Sequence, residues 1–391
     1  MRDLLTGLLR FFASLQLTVV LLVFSIMLVF VATLDQVNLG IWAVQEKYFR
    51  SFFVYWPVPG STLSFPVFPG GYLVGGFLFA NLIVAQFYRF TFTWRKIGLV
   101  LAHSGLVLLL VGELLAGLWQ EDFQLRLDQG ETKNFSESSR LYELAIIDTT
   151  DPKWDDVVAI PEAMLAAKTA VQHPKLPFRI AIKDYYPNAT LEMRRENTEG
   201  APSPATAGFG PRLVATPLPP TYREDERNMP AAFAELIGPD GTLGTYLVTP
   251  MLVMPQTFSV GARNFSLIMR PARAYKPFSL TLLELRHDVY PGSEIPKNFS
   301  SRVRLQSADG KDNREVLIYM NNPLRAGGYT FYQYQMNEQS RFSVLQVVRN
   351  PSWLLPYISC TIISIGLLFQ FGISLAAFIA QRRTPANAPA A

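Results

Sequence analysis

Reactive side chains are scarce in this 391-residue chain: three histidines, His103, His173 and His287, and one cysteine, Cys360. His103 is the sharpest candidate. It lies about a third of the way into an apolar run from Ile97 to Leu118. An ionisable residue at membrane depth is costly and normally faces a partner or a cavity. Imidazole is the usual axial ligand of haem iron, and Gly105 nearby would let a flat ligand or another helix approach the backbone. The competing reading is a neutral imidazole hydrogen-bonded between helices, with Asn81 as its partner. Glu113 sits ten residues further on, roughly 80° round the helix and ~15 Å nearer its other end. It cannot touch His103. It pairs with an external cation such as Arg50, lines a polar path, or reaches for water from near the interface.

Arg89, Arg95 and Lys96 lie between two apolar runs, at the same end as His103. Arginine holds carboxylates in a fork, so this cluster is a candidate for the two propionates of a haem. His287, in LRHDVYPG, stands beside Asp288. It is read either as a ligand or acid–base group or, more commonly for such a position, as a surface loop histidine. His173 reads as ordinary surface. One cysteine permits no internal disulfide and no CxxC metal or redox pair. No Ser–His–Asp spacing, P-loop, GxGxxG or HExxH occurs, so the chain carries no catalytic constellation of known type.

These residues need elements to position them. At 49% hydrophobic and a mean hydropathy of +0.17, the chain is too apolar for an ordinary soluble domain. Its net charge of +4 is scattered and gives no footprint for nucleic acid. Four runs are long enough to span a membrane, at about 15–34, 71–88, 97–118 and 353–380. A cleaved signal peptide is the alternative for the first, but the run is too long and no small-x-small site follows. Arg2 and Arg10, the Arg89–Lys96 loop, and Arg382 with Arg383 all fall on one side of four successive crossings, which the positive-inside rule assigns to the cytoplasm. Both termini are then inside, with the loop 35–70 and the segment 120–350 outside. Trp56, Trp119 and Trp353 mark the outer edge and Trp94 the inner one, as an interfacial belt requires. The aromatic stretch 41–56 is expected on the outer leaflet or beneath the external domain, and residues 1–12 as a short interfacial helix.

Residues 120–350 change character. Alternating runs at 122–127, 178–184, 244–249, 278–285, 301–307, 315–320, 329–335 and 341–348 read as half-buried strands. The expected fold is an α-helical membrane protein with four transmembrane helices and a large extracytoplasmic, mainly-β, sandwich-like domain or partly open barrel. One helix is predicted from Pro161 through EAMLAAKTAV. The Pro-, Gly-, Ala- and Ser-rich stretch 197–222 is predicted to be a mobile insertion. The last strand leads almost directly into the final span.

The opening LLRFFASLQLTVVLLVFSIMLVFVATLDQ, the His103-x-Gly105 arrangement, the pieces YPGSEIPKNFSSRVRL and IYMNNPLRAGGYTFYQYQ, and the single span after the β-domain together resemble the ResB-like (CcsB-type) family of System II cytochrome c biogenesis proteins. The likeness covers nearly the whole chain, with about 150–260 matching only in general character. It implies an inner-membrane subunit that works with a CcsA- or ResC-type membrane protein to bring haem across the membrane and attach it to the CXXCH cysteines of apocytochrome c. It implies that His103 binds b-type haem transiently, without a covalent link. The tryptophan-rich haem-handling motif and paired external histidines are absent and belong to the partner. The chain is therefore an accessory subunit rather than a complete synthase.

Two further classes compete. A scaffold would recruit apocytochrome or stabilise its partner without binding haem. A membrane sensor would need an output domain, and the eleven residues after Ala380 carry none.

Overall fold

A run of Leu, Val, Ile and Phe without charge can satisfy its backbone in hydrocarbon only by coiling on itself. The computed structural model describes residues 2–57, 63–89, 93–194, 203–223, 226–292, 296–337, 339 and 341–383, and among them four helices are long and apolar enough to cross a membrane. The chain divides into two compact units: Met1–Gln120 with Tyr222–Glu224 and Asn350–Ala391, and Glu121–Thr221 with Asp225–Arg349.

The first unit begins with α1 (Arg2–Phe12) and α2 (Leu15–Leu39). The Ser14 hydroxyl accepts from the Leu17 N–H at 3.2 Å and caps α2. Gly40 ends α2 with φ +79°, and a Cβ there would stand 2.6 Å from the Tyr222 carbonyl oxygen, so only glycine fits. Then come α3 (Ile41–Val44), running into a π-helical turn to Phe49, and the hairpin β1 (Phe53–Pro57) and β2 (Ser64–Pro69). The segment 35–70 is thus largely regular structure over its described residues. It folds back on α2, with Val44, Tyr48 and Val54 buried against Leu28 and Ala32. Lys47 Nζ and Tyr48 Oη both reach the Asp35 carboxylate, at 2.7 and 2.9 Å. α4 (Gly71–Arg89) and α5 (Ile97–Trp119) follow.

The second unit holds β3 (Glu121–Asp128), β4 (Thr132–Asp148), β5 (Asp156–Pro161), α6 (Glu162–Ala166), β6 (Arg179–Tyr186), β7 (Ala189–Met193), β8 (Leu213–Pro217), β9 (Ala231–Gly238), β10 (Gly241–Val248), β11 (Gln256–Val260), β12 (Arg263–Val289), β13 (Pro296–Ser307), β14 (Asn313–Tyr319), β15 (Leu324–Ala326), β16 (Tyr329–Asn337) and β17 (Phe342–Arg349). One ten-stranded sheet runs β14-β13-β12-β4-β3-β17-β16-β15, with β11 on β12 and β5 on β4. A three-stranded sheet, β10-β9-β6, and the pair β7-β8 are separate.

Two cores result. In one, Ile180, Ala234 and Leu236 of the small sheet pack on Leu144, Ile146, Leu267 and Met269 of the large one, a sheet-on-sheet arrangement. In the other, strands from both ends of the large sheet contribute Leu125, Leu282, Leu305, Ile318, Phe331 and Leu345. That half curls on itself, and the Ser301 hydroxyl of β13 donates to Gln333 Oε1 of β16 at 2.7 Å. The domain is therefore half sandwich and half partly open barrel.

The strand β12 serves both cores. It changes register against β4 between Pro271 and Arg273, and again between Tyr275 and Leu280, where prolines remove ladder donors. Cations line this joint. Arg270 pairs with Glu143 at 2.8 Å, both side chains only 10% exposed, and Arg273 pairs with Glu137 at 3.0 Å. Lys276 is buried with its ammonium against the Ser136 hydroxyl and over the Tyr329 ring, 4.6 Å from its centroid.

Two expectations need correction. The helix after Pro161 is one turn, Glu162–Ala166, because Lys168 turns left-handed with φ +50°. The stretch 197–222 is not a loose insertion over its described part. Residues 197–202 lie outside the described residues, but β8 pairs with β7, Ala207 bridges Tyr246, and Ala205 and Leu213 enter a core with Phe233 and Leu247. Small residues permit this close approach rather than signalling freedom. The chain closes with α7 (Leu355–Arg383).

Candidate functional site

His103 sits in α5, half-buried. Its Nδ1 donates to the Leu99 carbonyl oxygen one turn back, at 2.8 Å. A carbonyl oxygen only accepts, so that bond holds a proton on Nδ1.

The helix has a second face. Gly98, Gly105 and Gly112 recur every seventh residue and are buried. A Cβ on Gly98 would lie 2.5 Å from the Gly366 carbonyl oxygen, one on Gly105 would lie 2.7 Å from Ile363 Cγ1, and one on Gly112 2.9 Å from Leu355 Cβ. The Ser352 hydroxyl closes the row by donating to the Gly112 carbonyl oxygen at 3.3 Å. These glycines let α5 and α7 meet backbone to backbone. Gly105 is therefore occupied by α7 and not by a flat ligand. His103 lies ~140–180° round the helix from the glycines of this seam. Exposed Leu106 and Leu110 share its side of the helix.

Asn81 is not the partner of His103. It is 3% exposed; its amide donates to the Phe12 and Ser14 carbonyl oxygens, and its Oδ1 accepts from the Thr18 hydroxyl at 2.7 Å. It ties α4 to the break between α1 and α2. Contact between α4 and α5 runs instead through Gln86 Nε2, which donates to the Val100 carbonyl oxygen at 3.2 Å.

Glu113 is exposed and has no hydrogen bond or ion pair among the described residues. Arg50, its suggested partner, is bound to Glu46 at 2.9 Å. Arg95 and Lys96 are exposed at the start of α5, with no ion pair among the described residues. Lys96 is seven residues before His103, hence ~10 Å away along the axis and close to the same face. The Arg89 side chain lies outside the described residues. One imidazole, two free cations and leucines suit a flat, apolar, dianionic iron porphyrin, but the single histidine of this unit can fill only one axial position.

His287 is not in a loop. β12 continues through it, so Asp288 points to the opposite face. The ring stacks on Phe299, with centroids 4.6 Å apart and planes 8° from parallel, and its buried Nε2 has no partner among the described residues. His173 Nδ1 accepts from the Lys175 N–H at 3.2 Å and caps a turn. Among the described residues no group of three or more His, Cys, Asp or Glu could hold a metal ion. The roles of Gly98 and Gly112 go unnoticed in a search for reactive side chains, although their seven-residue spacing is legible.

The ResB-like family model matches residues 93–340 of this chain. Over 94 residues the chain is 33% identical to Protein NrfI of Wolinella succinogenes, a match covering 24% of this chain and 10% of that protein. The match thus spans about a tenth of that relative's length.

Proposed function

Since this chain belongs to the ResB-like family, we propose that it is the haem-handling subunit of a System II cytochrome c synthase. The observation that carries the proposal is the set imidazole of His103. It lies in a helix of membrane-spanning length, its Nδ1 proton is held by Leu99, and it faces away from the glycine seam. On this reading the basic end of α5 is cytoplasmic. Both termini are inside, the β-rich unit is extracytoplasmic, and the membrane is the bacterial inner one.

Haem is cargo here, and what this chain does is bind and orient it. Arg95 and Lys96 pair with the propionates. His103 Nε2 takes one axial position, and Leu106 and Leu110 exclude water. A CcsA- or ResC-type partner supplies what this chain lacks, the other axial ligand and the groups that attach haem to the CXXCH thiols of apocytochrome c.

The test is an absorption spectrum of the complex purified with its neighbour protein. The parent carries a b-type haem spectrum, and His103→Ala loses most of it at equal protein yield. A second reading, a scaffold without haem, is favoured by the same Leu99 bond, which also satisfies an inert histidine. It is upheld if His103→Ala keeps its haem content and still supports cytochrome assembly.

A further inference from the structure

In the second unit β7 pairs with β8 alone, in the register Ala189↔Pro217 through Met193↔Leu213. The ladder continues beyond both ends. The Leu218 N–H donates to the Asn188 carbonyl oxygen, and the Arg194 N–H to the Arg212 carbonyl oxygen, at 2.9 and 2.8 Å. Residues 188 and 194 are thus in hydrogen-bonded pairs. Antiparallel alternation then puts Thr190 and Glu192 in bonded pairs too, and turns the backbone groups of Ala189, Leu191 and Met193 to the outer edge. The Ala189 N–H is taken by the Met229 carbonyl oxygen at 2.9 Å. The N–H and C=O of Leu191 and the N–H of Met193 have no partner among the described residues.

This edge opens into a groove of about 690 Å³. Leu191, Leu218, Met229 and Met251 supply apolar lining; Glu192 and Glu226 add carboxylates and Arg227 a guanidinium, which donates to Gln124 Oε1 at 3.0 Å, while Glu192 has no partner among the described residues. Unpaired donors and acceptors repeating at every second residue match an extended backbone and little else. Thioether walls adapt to varied side chains, and the Glu192 carboxylate favours a lysine or arginine.

We infer that the free edge of β7 and its methionine-lined groove bind an extended, unfolded stretch of polypeptide by adding it as a further strand. The stretch pairs with Leu191 and Met193, sets alternate apolar side chains against Met229 and Met251, and places a basic side chain near Glu192. The identity of that polypeptide as apocytochrome c rests on the function proposed above; the edge pairing does not.

The experiment uses the full chain in detergent and reduced, unfolded apocytochrome c as the probe. Met193 is 70% exposed and its N–H makes no bond to β8. Met193→Pro therefore removes one edge donor while leaving the β7–β8 ladder intact. Met193→Ala keeps the donor. Losing the donor and crowding the incoming strand is expected to raise Kd about five- to tenfold for Met193→Pro. Met193→Ala binds as the parent does, and both variants unfold at the parent's temperature. In the parent, bound apocytochrome slows hydrogen exchange at the Leu191 and Met193 amides. Equal Kd values for the two variants, no protection at 191 and 193, or no binding by the intact chain each overturn the inference. Binding is read without haem, so failure of the haem reading is distinguishable from failure of this one.

Discussion

Putting a methyl group on the face of α5 that meets α7 should loosen the pair. In Gly98→Ala the new Cβ falls 2.5 Å from the Gly366 carbonyl oxygen and 2.7 Å from the Gln370 nitrogen, whereas ordinary contact is 3.4–4 Å. Both obstacles are backbone, so no rotamer relieves them and the helices must part by about 1 Å, enough to forfeit packing along the seam. Overpacking of this kind costs about 1–3 kcal/mol. Gly117, on the same helix, has nothing within 4 Å of its Cβ position. Gly117→Ala should be neutral or stabilise by up to ~1 kcal/mol through helix propensity. The two variants therefore differ by about 1–4 kcal/mol although the chemical change is identical. Thermal unfolding of the full chain in detergent, followed by far-UV circular dichroism, reads the difference. If Gly98→Ala unfolds no earlier than Gly117→Ala, the close α5–α7 approach is wrong, and with it the assignment of His103 to the opposite face.

Burial pulls the Lys276 ammonium down to about 8 from 10.5. Between those values the unfolded chain binds more protons than the folded one, so stability rises with pH across that window, by about 3 kcal/mol in all. Lys276→Met should abolish the rise; denaturant midpoints at about pH 7.5 and about pH 10 check this, and a flat profile in the parent would refute it. Asn81→Leu removes three polar contacts between α4 and the α1–α2 break and should cost about 1–2 kcal/mol. Its haem spectrum per molecule of folded protein should match the parent; a selective loss of haem would return Asn81 to the site.

The membrane-scale helices are legible because composition decides them. An uncharged run of about 20 residues has one stable form in hydrocarbon, and α5 is predicted to within a residue. The strands with polar–apolar alternation, such as β3 and β13, are equally plain. β9 is not, since AAFAELIG is buried at five of its eight positions and exposed at none, and shows no period of two. β8 hides in a stretch whose composition reads as loop. There small residues serve contact instead: a Cβ on Gly244 would meet the Ala207 Cβ at 2.7 Å. His103 stands out because membrane depth makes any imidazole conspicuous. Its supposed tie to Asn81 fails because two helices' relative rotation is set by packing that no single segment encodes. The seam glycines fix that rotation. Lys276 is invisible for another reason. It lies in a register shift of β12, where a local pattern assigns a lysine to the surface.

The same asymmetry bears on function. Along α5 the glycine face is satisfied within the chain, while the opposite face carries half-buried His103 among exposed Leu106, Leu110 and Leu114, and exposed Glu113 lies ~80° round from both. Leucines at membrane depth need no explanation; the Glu113 carboxyl, without an ion pair among the described residues, does, because a carboxyl is costly against hydrocarbon. Its place off the seam suits the function proposed above, in which a second membrane protein completes the site. The presence of only one histidine in this unit points the same way, since six-coordinate haem iron held by two imidazoles would need its second from another chain.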